Sequence, residues 1–252
     1  MLGRSGAERL IDGAATATIV FGSWFLLNLF FSPLVVPTMG SVWSELCRIA
    51  TTPDLYGMIV VTAIRLGIGL VIGLIIGVIL GIAMGFSRHL GGILSPIVGL
   101  FQTVPPVAWV VLALVWFGFN GKPAIFIVLT ATVPVISINV RQGIDQIDHG
   151  LLEMAQLYAF SRRKILRHVV LPSVAPYFSS GFRIALGTGW KIAVMGEVLT
   201  TNDGIGGMIK NARLNVEPEA IVAWSVVVVG LYYLSDWSSH FILPRRPHAP
   251  HL

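Results

Sequence analysis

The feature that most constrains this chain is a series of apolar stretches long enough to cross a lipid bilayer. An α-helix rises 1.5 Å per residue, so about 20 apolar residues span the hydrocarbon core. Hydrophobic residues make up 55% of the 252 residues and charged residues only 12%, and the mean hydropathy is +0.81. These values exclude an ordinary soluble domain, which needs a charged surface. They predict an all-α membrane protein.

Six stretches have the required length and predict six transmembrane helices: Ala14–Val36, Gly57–Phe86, Gly92–Phe117, Pro123–Val140, Val174–Leu199 and Ala220–Leu243. Arg4 and Arg9 precede the first stretch, as basic residues precede the apolar core of a signal peptide. The stretch is longer than such a core, so we predict an uncleaved span. Pro105 and Pro106 remove backbone donors from the third stretch and predict a kink or an interruption there. Residues 37–56 predict a short interfacial helix on the outer side.

The basic residues outside the spans predict the orientation of the chain. If both termini are cytoplasmic, the inner side carries Arg4, Arg9, Arg88, Arg141, Arg162, Arg163, Lys164, Arg167, Arg245 and Arg246. The outer side then carries only Arg48, Lys122, Lys210 and Arg213. This asymmetry follows the positive-inside rule and agrees with an even number of spans. The formal charge of +5 therefore reflects loop placement, and we predict no nucleic-acid partner.

The predicted organisation has three parts. Residues 1–56 hold the N-terminal segment, the first span and the interfacial helix. Residues 57–243 form a core of five transmembrane helices, which includes a cytoplasmic loop at 145–172. Residues 244–252 form a cytoplasmic tail.

Glycines recur at every fourth position of the second span, at Gly69, Gly73, Gly77, Gly81 and Gly85. This spacing places them on one helix face, where another helix can approach very closely. We predict a packing seam, either within one subunit or between two. A gate at this seam is an alternative reading.

The loop at 145–172 is much longer than the other predicted cytoplasmic connections. Its apolar residues recur at helical spacing on both sides of the basic cluster 161–164, which predicts two short helices. We expect Leu171 and Pro172 to end the loop before the fifth span. The loop either docks another protein or lies as an amphipathic linker on anionic lipid.

Four charged residues fall inside predicted spans: Arg65, Arg183, Lys191 and Glu197. Charge within a membrane is expensive and needs a partner or water. Arg183 and Glu197 share a helix face but lie about 21 Å apart along one helix, so they cannot pair. Arg65 and Glu197 both lie toward the outer ends of their spans and favour an ion pair, with an anion-attracting pathway as the alternative. Lys191 either snorkels or lines a polar cavity.

Motifs of enzymes and metal sites are missing from the sequence. Cys47 is the only cysteine, so neither an intrachain disulfide nor a cysteine-based metal site can form. The six histidines do not follow metal-ligand spacing, and no GxSxG or GxxxxGK[ST] motif occurs. We predict no catalytic residue, no metal site and no cofactor bound by this chain.

The loop also carries a recognisable pattern, Glu-x-Ala-x-x-x-small, nine residues, then aliphatic-x-Leu-Pro, made by Glu153, Ala155, Ala159, Val169, Leu171 and Pro172. It resembles the EAA loop in permease subunits of binding-protein-dependent ABC importers. The sequence departs from that pattern with Met154 for the second alanine, Ala159 for the usual glycine and Val169 for isoleucine. A non-glycine residue at 159 restricts the backbone of the turn.

The resemblance extends over residues 40–240 and is closest to the nitrate, sulfonate and taurine branch. It is carried by Thr62-Ala63-Ile64-Arg65, Thr103-Val104-Pro105-Pro106, Val115-Trp116-Phe117-Gly118, Gly181-Phe182-Arg183, and Glu197 followed by Gly204-Ile205-Gly206.

This resemblance implies a type I ABC importer core of five helices, preceded by one helix, in the bacterial inner membrane. It implies a homodimer that holds two cytoplasmic ATPase subunits, which use ATP and Mg, and that receives a small anionic solute from an external binding protein. Glu153 would anchor the loop, and Ala155 and Ala159 would fit the ATPase groove. Rival readings are an ATP-independent secondary transporter or channel and a non-transporting scaffold.

Overall fold

The structure is a computed structural model that describes residues 6–242, with side chains for residues 12–239. All regular secondary structure in this part of the chain is helical. The helices are α1 (Gly6–Phe30), α2 (Met39–Thr51), α3 (Pro53–Phe86), α4 (Arg88–Thr103), α5 (Pro106–Phe117), α6 (Lys122–Asp145), α7 (His149–Leu157), α8 (Arg162–Ile165), α9 (Leu171–Thr200), α10 (Gly204–Asn215) and α11 (Pro218–Ile242). A π-helical turn, Leu166–Val170, joins α8 to α9. The predicted tail at 244–252 lies outside the described residues.

Five helical segments of the described chain are long and apolar enough to cross a membrane: Asp12–Phe30, Pro53–Phe86, Lys122–Asp145, Arg162–Thr200 and Pro218–Ser239. The predicted third span is the broken pair α4 and α5, which are bent by 93°. Pro105 and Pro106 lie at the break, where both lack the N–H that a continuous helix requires. The first span is shorter than predicted, because α1 ends at Phe30 just before Pro33.

The centre of the fold is a seam between α3 and α6. The five glycines of α3 face a ladder of β-branched residues on α6, also four apart: Val128, Thr132, Ile136, Val140 and Ile144. At each glycine an added Cβ would lie 2.7–2.8 Å from the Cβ of its β-branched partner. The helices therefore pack with their backbones in near contact, which is the use of small residues in membranes.

The direction of this seam fixes the course of the chain. Gly69 faces Val128 and Gly85 faces Ile144, so α3 and α6 run parallel and level with one another. The chain must then return from the end of α3 to the start of α6 through α4 and α5. Both broken halves pack against α6, and Arg141 of α6 donates a hydrogen bond to Ser95 of α4.

Helix α9 packs against α6 in the opposite direction. Gly143 of α6 lies against Tyr177, and Gly196 of α9 lies against Ala124. The expected stop at Leu171 and Pro172 is wrong, because the helix continues through them from Arg162 to Thr200. The π turn at Leu166–Val170 is separated from Pro172 by one residue. Pro172 lies in the first turn of α9, where a residue without an N–H is tolerated.

The remaining helices surround this core. Helix α1 touches the rest mainly where Trp24 and Asn28 donate hydrogen bonds to the carbonyl of Pro37. Helix α2, the predicted interfacial helix, packs against α11, and α10 packs against α3, α9 and α11. Thr38 caps α2 by accepting a hydrogen bond from the amide of Ser41.

Substitution at the middle of the seam should destabilise the protein. In Gly77→Ala the new Cβ would lie 2.8 Å from the Ile136 Cβ and 3.0 Å from the Val133 carbonyl oxygen, so we expect a loss of about 1–3 kcal/mol. Gly67→Ala is the matched control, because no atom lies within 4 Å of its Cβ position. Equilibrium unfolding in mixed detergent measures both, and equal stability of the two variants would contradict the seam.

Candidate functional site

A buried carboxylate joins three helices at one end of the bundle. Glu197 of α9 is 0% exposed, and its Oε1 accepts a hydrogen bond from Nη1 of Arg65 on α3 at 2.8 Å. Its Oε2 accepts from Thr62 Oγ1 at 2.7 Å and from the amide of Gly206 on α10 at 3.0 Å. Arg65 and Glu197 are therefore paired, as the sequence favoured, and the carboxylate is satisfied on both oxygens.

The start of α10 is built around this carboxylate. The amide of Ile205 donates to Thr62 Oγ1 at 2.8 Å, so two first-turn amides of α10 are directed at the cluster. Free amides at a helix N-terminus favour negative charge. Gly204 has a φ of +74°, and an added Cβ would lie 2.5 Å from Glu197 Oε1. The glycine is needed for both its left-handed backbone and its lack of a side chain.

Asp203 is a second anionic partner for Arg65. Nη2 of Arg65 donates to both carboxylate oxygens of Asp203 at 2.9 Å. Burial raises the pKa of Asp203, but hydrogen bonds from Arg65 and Thr201 outweigh burial and leave the pKa below its usual value. This carboxylate therefore stabilises the fold at pH values above its unfolded pKa, and the contribution is lost as the pH falls through the folded pKa.

The segment between α6 and α9 forms a separate surface. Helix α7 is capped by Asp148, whose carboxylate accepts from the Gly150 amide at 2.8 Å. It ends in a Schellman turn, in which the amide of Phe160 donates to the Ala155 carbonyl and that of Ala159 to the Gln156 carbonyl, both at 2.9 Å. Ala159 has a φ of 52°, a left-handed conformation that favours glycine. This explains why glycine is usual there in the loop pattern.

Ala155 does not lie where we predicted. It is 3% exposed, so its side chain faces the interior of the chain and cannot itself fill a groove of a partner. Ala159 and Glu153 are exposed, Val169 is buried, and Leu171 and Pro172 are exposed at the start of α9. Exposed apolar residues occupy the outer side of α7: Leu151, Met154, Leu157 and Tyr158.

The other intramembrane cations are not brought to Glu197. Arg183 is half-buried, and its Nε is buried without a hydrogen-bond partner. Lys191 is exposed on α9. Neither forms an ion pair with an acidic residue of the described chain.

A cavity of about 190 Å³ opens beside α9, at the break between α4 and α5. It is lined by Phe101, Gln102, Val104, Pro106, Trp109, Ile127, Thr130, Ala131, Pro134, Val135, Thr188 and Ile192. Trp109 stacks on Phe101 with ring centroids 5.2 Å apart, and its indole nitrogen is buried without a partner. Among the residues with described side chains, no group of three or more His, Cys, Asp or Glu residues is arranged to hold a metal ion.

Comparison with known proteins identifies the family. Residues 69–246 match the family described as the binding-protein-dependent transport system inner membrane component. The chain belongs to this family. The permease is 33% identical over 213 residues to SsuC of Escherichia coli, named as an aliphatic sulfonates transport permease protein, covering 84% of this chain and 81% of that protein. It is 29% identical over 219 residues to the taurine transport system permease protein TauC of the same species, covering 84% and 80%.

A third relative and two solved structures agree with this assignment. The nitrate import permease protein NrtB of Synechococcus elongatus is 32% identical over 162 residues, which are 64% of the permease and 58% of NrtB. A bacterial ABC transporter involved in the import of alginate has a TM-score of 0.60, with 18% identity and coverage of 94% and 96%. The inward-facing MetNI methionine ABC transporter has a TM-score of 0.55, with 20% identity and coverage of 82% and 100%. Both structures share the fold of this chain.

Some functional residues of the permease were missed by sequence reasoning. Asp203 was not singled out, although it is the acidic residue directly before Gly204. The sequence motif Thr62 to Arg65 and the motif from Glu197 to Gly206 form one hydrogen-bonded cluster in the structure. The ladder on α6 could have been found from its β-branched residues at intervals of four, which match the glycine spacing.

The buried ion pair predicts strong coupling between its members. Arg65→Met leaves the carboxylate of Glu197 buried without its cation, so we expect a loss of about 3–5 kcal/mol in unfolding free energy. The double variant Arg65→Met with Glu197→Gln should lose clearly less unfolding free energy than Arg65→Met alone, because it no longer buries an unpaired carboxylate. Arg48→Met, which removes an exposed cation from its pair with Glu45, should cost under about 1 kcal/mol. Additive effects in the double variant would contradict this account.

The turn after α7 predicts a stabilising substitution. Ala159→Gly relieves a left-handed conformation that costs about 1–2 kcal/mol for a residue with a Cβ. The Phe160 amide, which closes the turn, should then exchange with solvent deuterium several-fold more slowly. Ala155→Gly, in the helix interior, should speed exchange. Faster exchange in Ala159→Gly would show that the turn is not left-handed.

Proposed function

We propose that the permease works as a homodimer in the bacterial inner membrane and imports a small anionic solute by alternating access. Two cytoplasmic ATPase subunits, which bind ATP and Mg, would drive the cycle, and an external binding protein would deliver the solute. The family of the chain supports this proposal. The names of the three relatives, which concern sulfonates, taurine and nitrate, favour an anionic cargo.

The observation that carries ATPase docking is the apolar outer face of α7. Four apolar side chains on this face are exposed: Leu151 by 42%, Met154 by 51%, Leu157 by 86% and Tyr158 by 73%. Exposed contiguous apolar surface marks an interaction site. Because Ala155 faces inward, we assign the contact to this face, with Glu153 beside it and Ala159 shaping the turn.

The direction of the core seam supports a count of six crossings of the membrane. Helices α3 and α6 run parallel, so the pair α4 and α5 must carry the chain across the membrane once between them. With α1, α9 and α11 the count is six, so the start of α1 and the end of α11 would lie on the same side. The distribution of basic residues supports a cytoplasmic position for that side. Helix α7 then lies at the cytoplasmic end, and the Glu197 cluster lies at the outer end near α10.

The α3, α9 and α10 cluster suits a transmission role in this cycle. Helix α8, the π turn and α9 form one helical segment from Arg162 to Thr200, which includes Glu197. A movement of α7 imposed by the ATPases would therefore reach the outer end through one continuous helix. Arg65 and Glu197 would keep α3 and α10 moving with it.

A charge on the docking face should release the ATPase. Leu157→Glu buries a carboxylate in an apolar contact, so we expect at least about a tenfold loss of ATPase recovered with the detergent-purified permease. Gln146→Glu adds the same charge at an exposed position before α7 and should leave recovery unchanged. Equal recovery from both variants would contradict docking through α7.

A further inference from the structure

Lys191 is an uncompensated charge within a membrane span. Gly189 and Gly196 pack near Val128 and Ala124 of α6, so Lys191 lies between these levels, below the outer end of the bundle. Its side chain is exposed and forms no ion pair with a described residue. A lysine that faces hydrocarbon costs about 2.5–3.5 kcal/mol or more. Contact between the exposed side of α9 and lipid hydrocarbon would therefore be unfavourable at Lys191.

Snorkelling to the outer surface does not relieve this cost. Lys191 lies nine residues before the end of α9 at Thr200, which is about 14 Å along the helix axis. Side chains on a helix lean toward its N-terminus, and the N-terminus of α9 is its cytoplasmic end. The ammonium group is therefore directed away from the nearer surface. Of the two readings that the sequence left open, the geometry favours a polar passage.

The cavity at the α4 and α5 break lies next to this lysine. Thr188 and Ile192 line the cavity, and Lys191 lies one turn beyond Thr188 and directly before Ile192 on the same helix. The Thr188 hydroxyl donates to the Ile184 carbonyl at 2.8 Å, so it offers no proton to a ligand. The side-chain donors that remain in the lining are the Gln102 amide and the buried indole N–H of Trp109, which has no partner. Lys191 is outside the lining, next to Ile192.

The chemistry of this set selects an anion. The cavity presents donors and carries no acidic side chain in its lining. Pro106 begins α5 at the cavity, so the positive end of that helix adds to the field. Around the axis of α9, Lys191 lies about 60° from the lining residue Thr188, whereas Arg183 lies about 140° from it, so Arg183 is not part of this wall.

We infer that the cavity between the α4 and α5 break, α6 and α9 receives the oxyanion headgroup of the transported solute, with Lys191 as its counter-charge. This rests on the proposed import function. It separates the intramembrane charges by role: Arg65 and Glu197 hold helices together, whereas Lys191 faces the passage. The ligand class is a compact monoanion, such as an alkanesulfonate or nitrate.

Aqueous access to position 191 tests the passage without knowledge of the cargo. In a Cys47→Ser background, Lys191→Cys should react with a charged, membrane-impermeant methanethiosulfonate reagent at least about tenfold faster than Ile75→Cys. Thiol reactivity requires a solvated thiolate, and Ile75 is exposed on the apolar surface of α3. Equal rates at the two positions would overturn the inference.

Uptake into proteoliposomes that contain the ATPase and the binding protein tests the counter-charge, with ethanesulfonate and nitrate as probes. Lys191→Gln should lower uptake at subsaturating probe by about tenfold, the value of one charge-assisted hydrogen bond, and Lys191→Arg should retain most of it. Lys122→Gln removes a charge at the outer boundary and should have little effect. Normal uptake by Lys191→Gln would overturn the inference about Lys191 and leave the proposed import function in place. Failure of the unaltered complex to import either probe would overturn the proposed cargo, and the inference with it.

Discussion

The near-contact of α3 and α6 is the interaction on which the rest of the structure depends. A glycine every four residues on one helix and a β-branched residue every four on the other bring two backbones together along their length. Since lipid offers no hydrophobic drive for helix association, such close packing is a main source of stability. Because the two helices are parallel, the intervening chain has to return from the end of α3 to the start of α6. That return passes through Pro105 and Pro106, and the resulting break creates the cavity beside α9.

The charged residues divide into two groups with different physical logic. Glu197 is enclosed, and each of its oxygens has a donor, so the cost of burying its charge is met by Arg65, Thr62 and the start of α10. Lys191 has no such shell. Buried charges that are fully paired serve structure, whereas a solitary intramembrane charge indicates a pathway or a partner. On α7 the division is between buried and exposed apolar residues. Ala155 is buried, whereas Leu157 lies on the exposed side of the same helix.

Much of the fold could be predicted from the sequence because membrane spans leave a strong signal. The apolar stretches, the proline break, the interfacial helix and the pairing of Arg65 with Glu197 all follow from length, hydropathy and the cost of charge. The parallel direction of α3 and α6 could not be predicted, since a glycine ladder does not specify its partner. The inward direction of Ala155 was missed because helical spacing alone does not say which face is buried. The continuation of the helical segment from α8 through Pro172 was missed, although a proline is tolerated in the first turn of a helix such as α9.

The central claim is that a partner ATPase drives solute through this permease. The most direct measurement is solute uptake into proteoliposomes, with the ATPase and binding protein present or omitted, in the presence and absence of ATP. The account predicts uptake against a concentration gradient only when ATP and both partners are present. Uptake by the permease alone, down a gradient and without ATP, would contradict it and indicate a secondary transporter or channel.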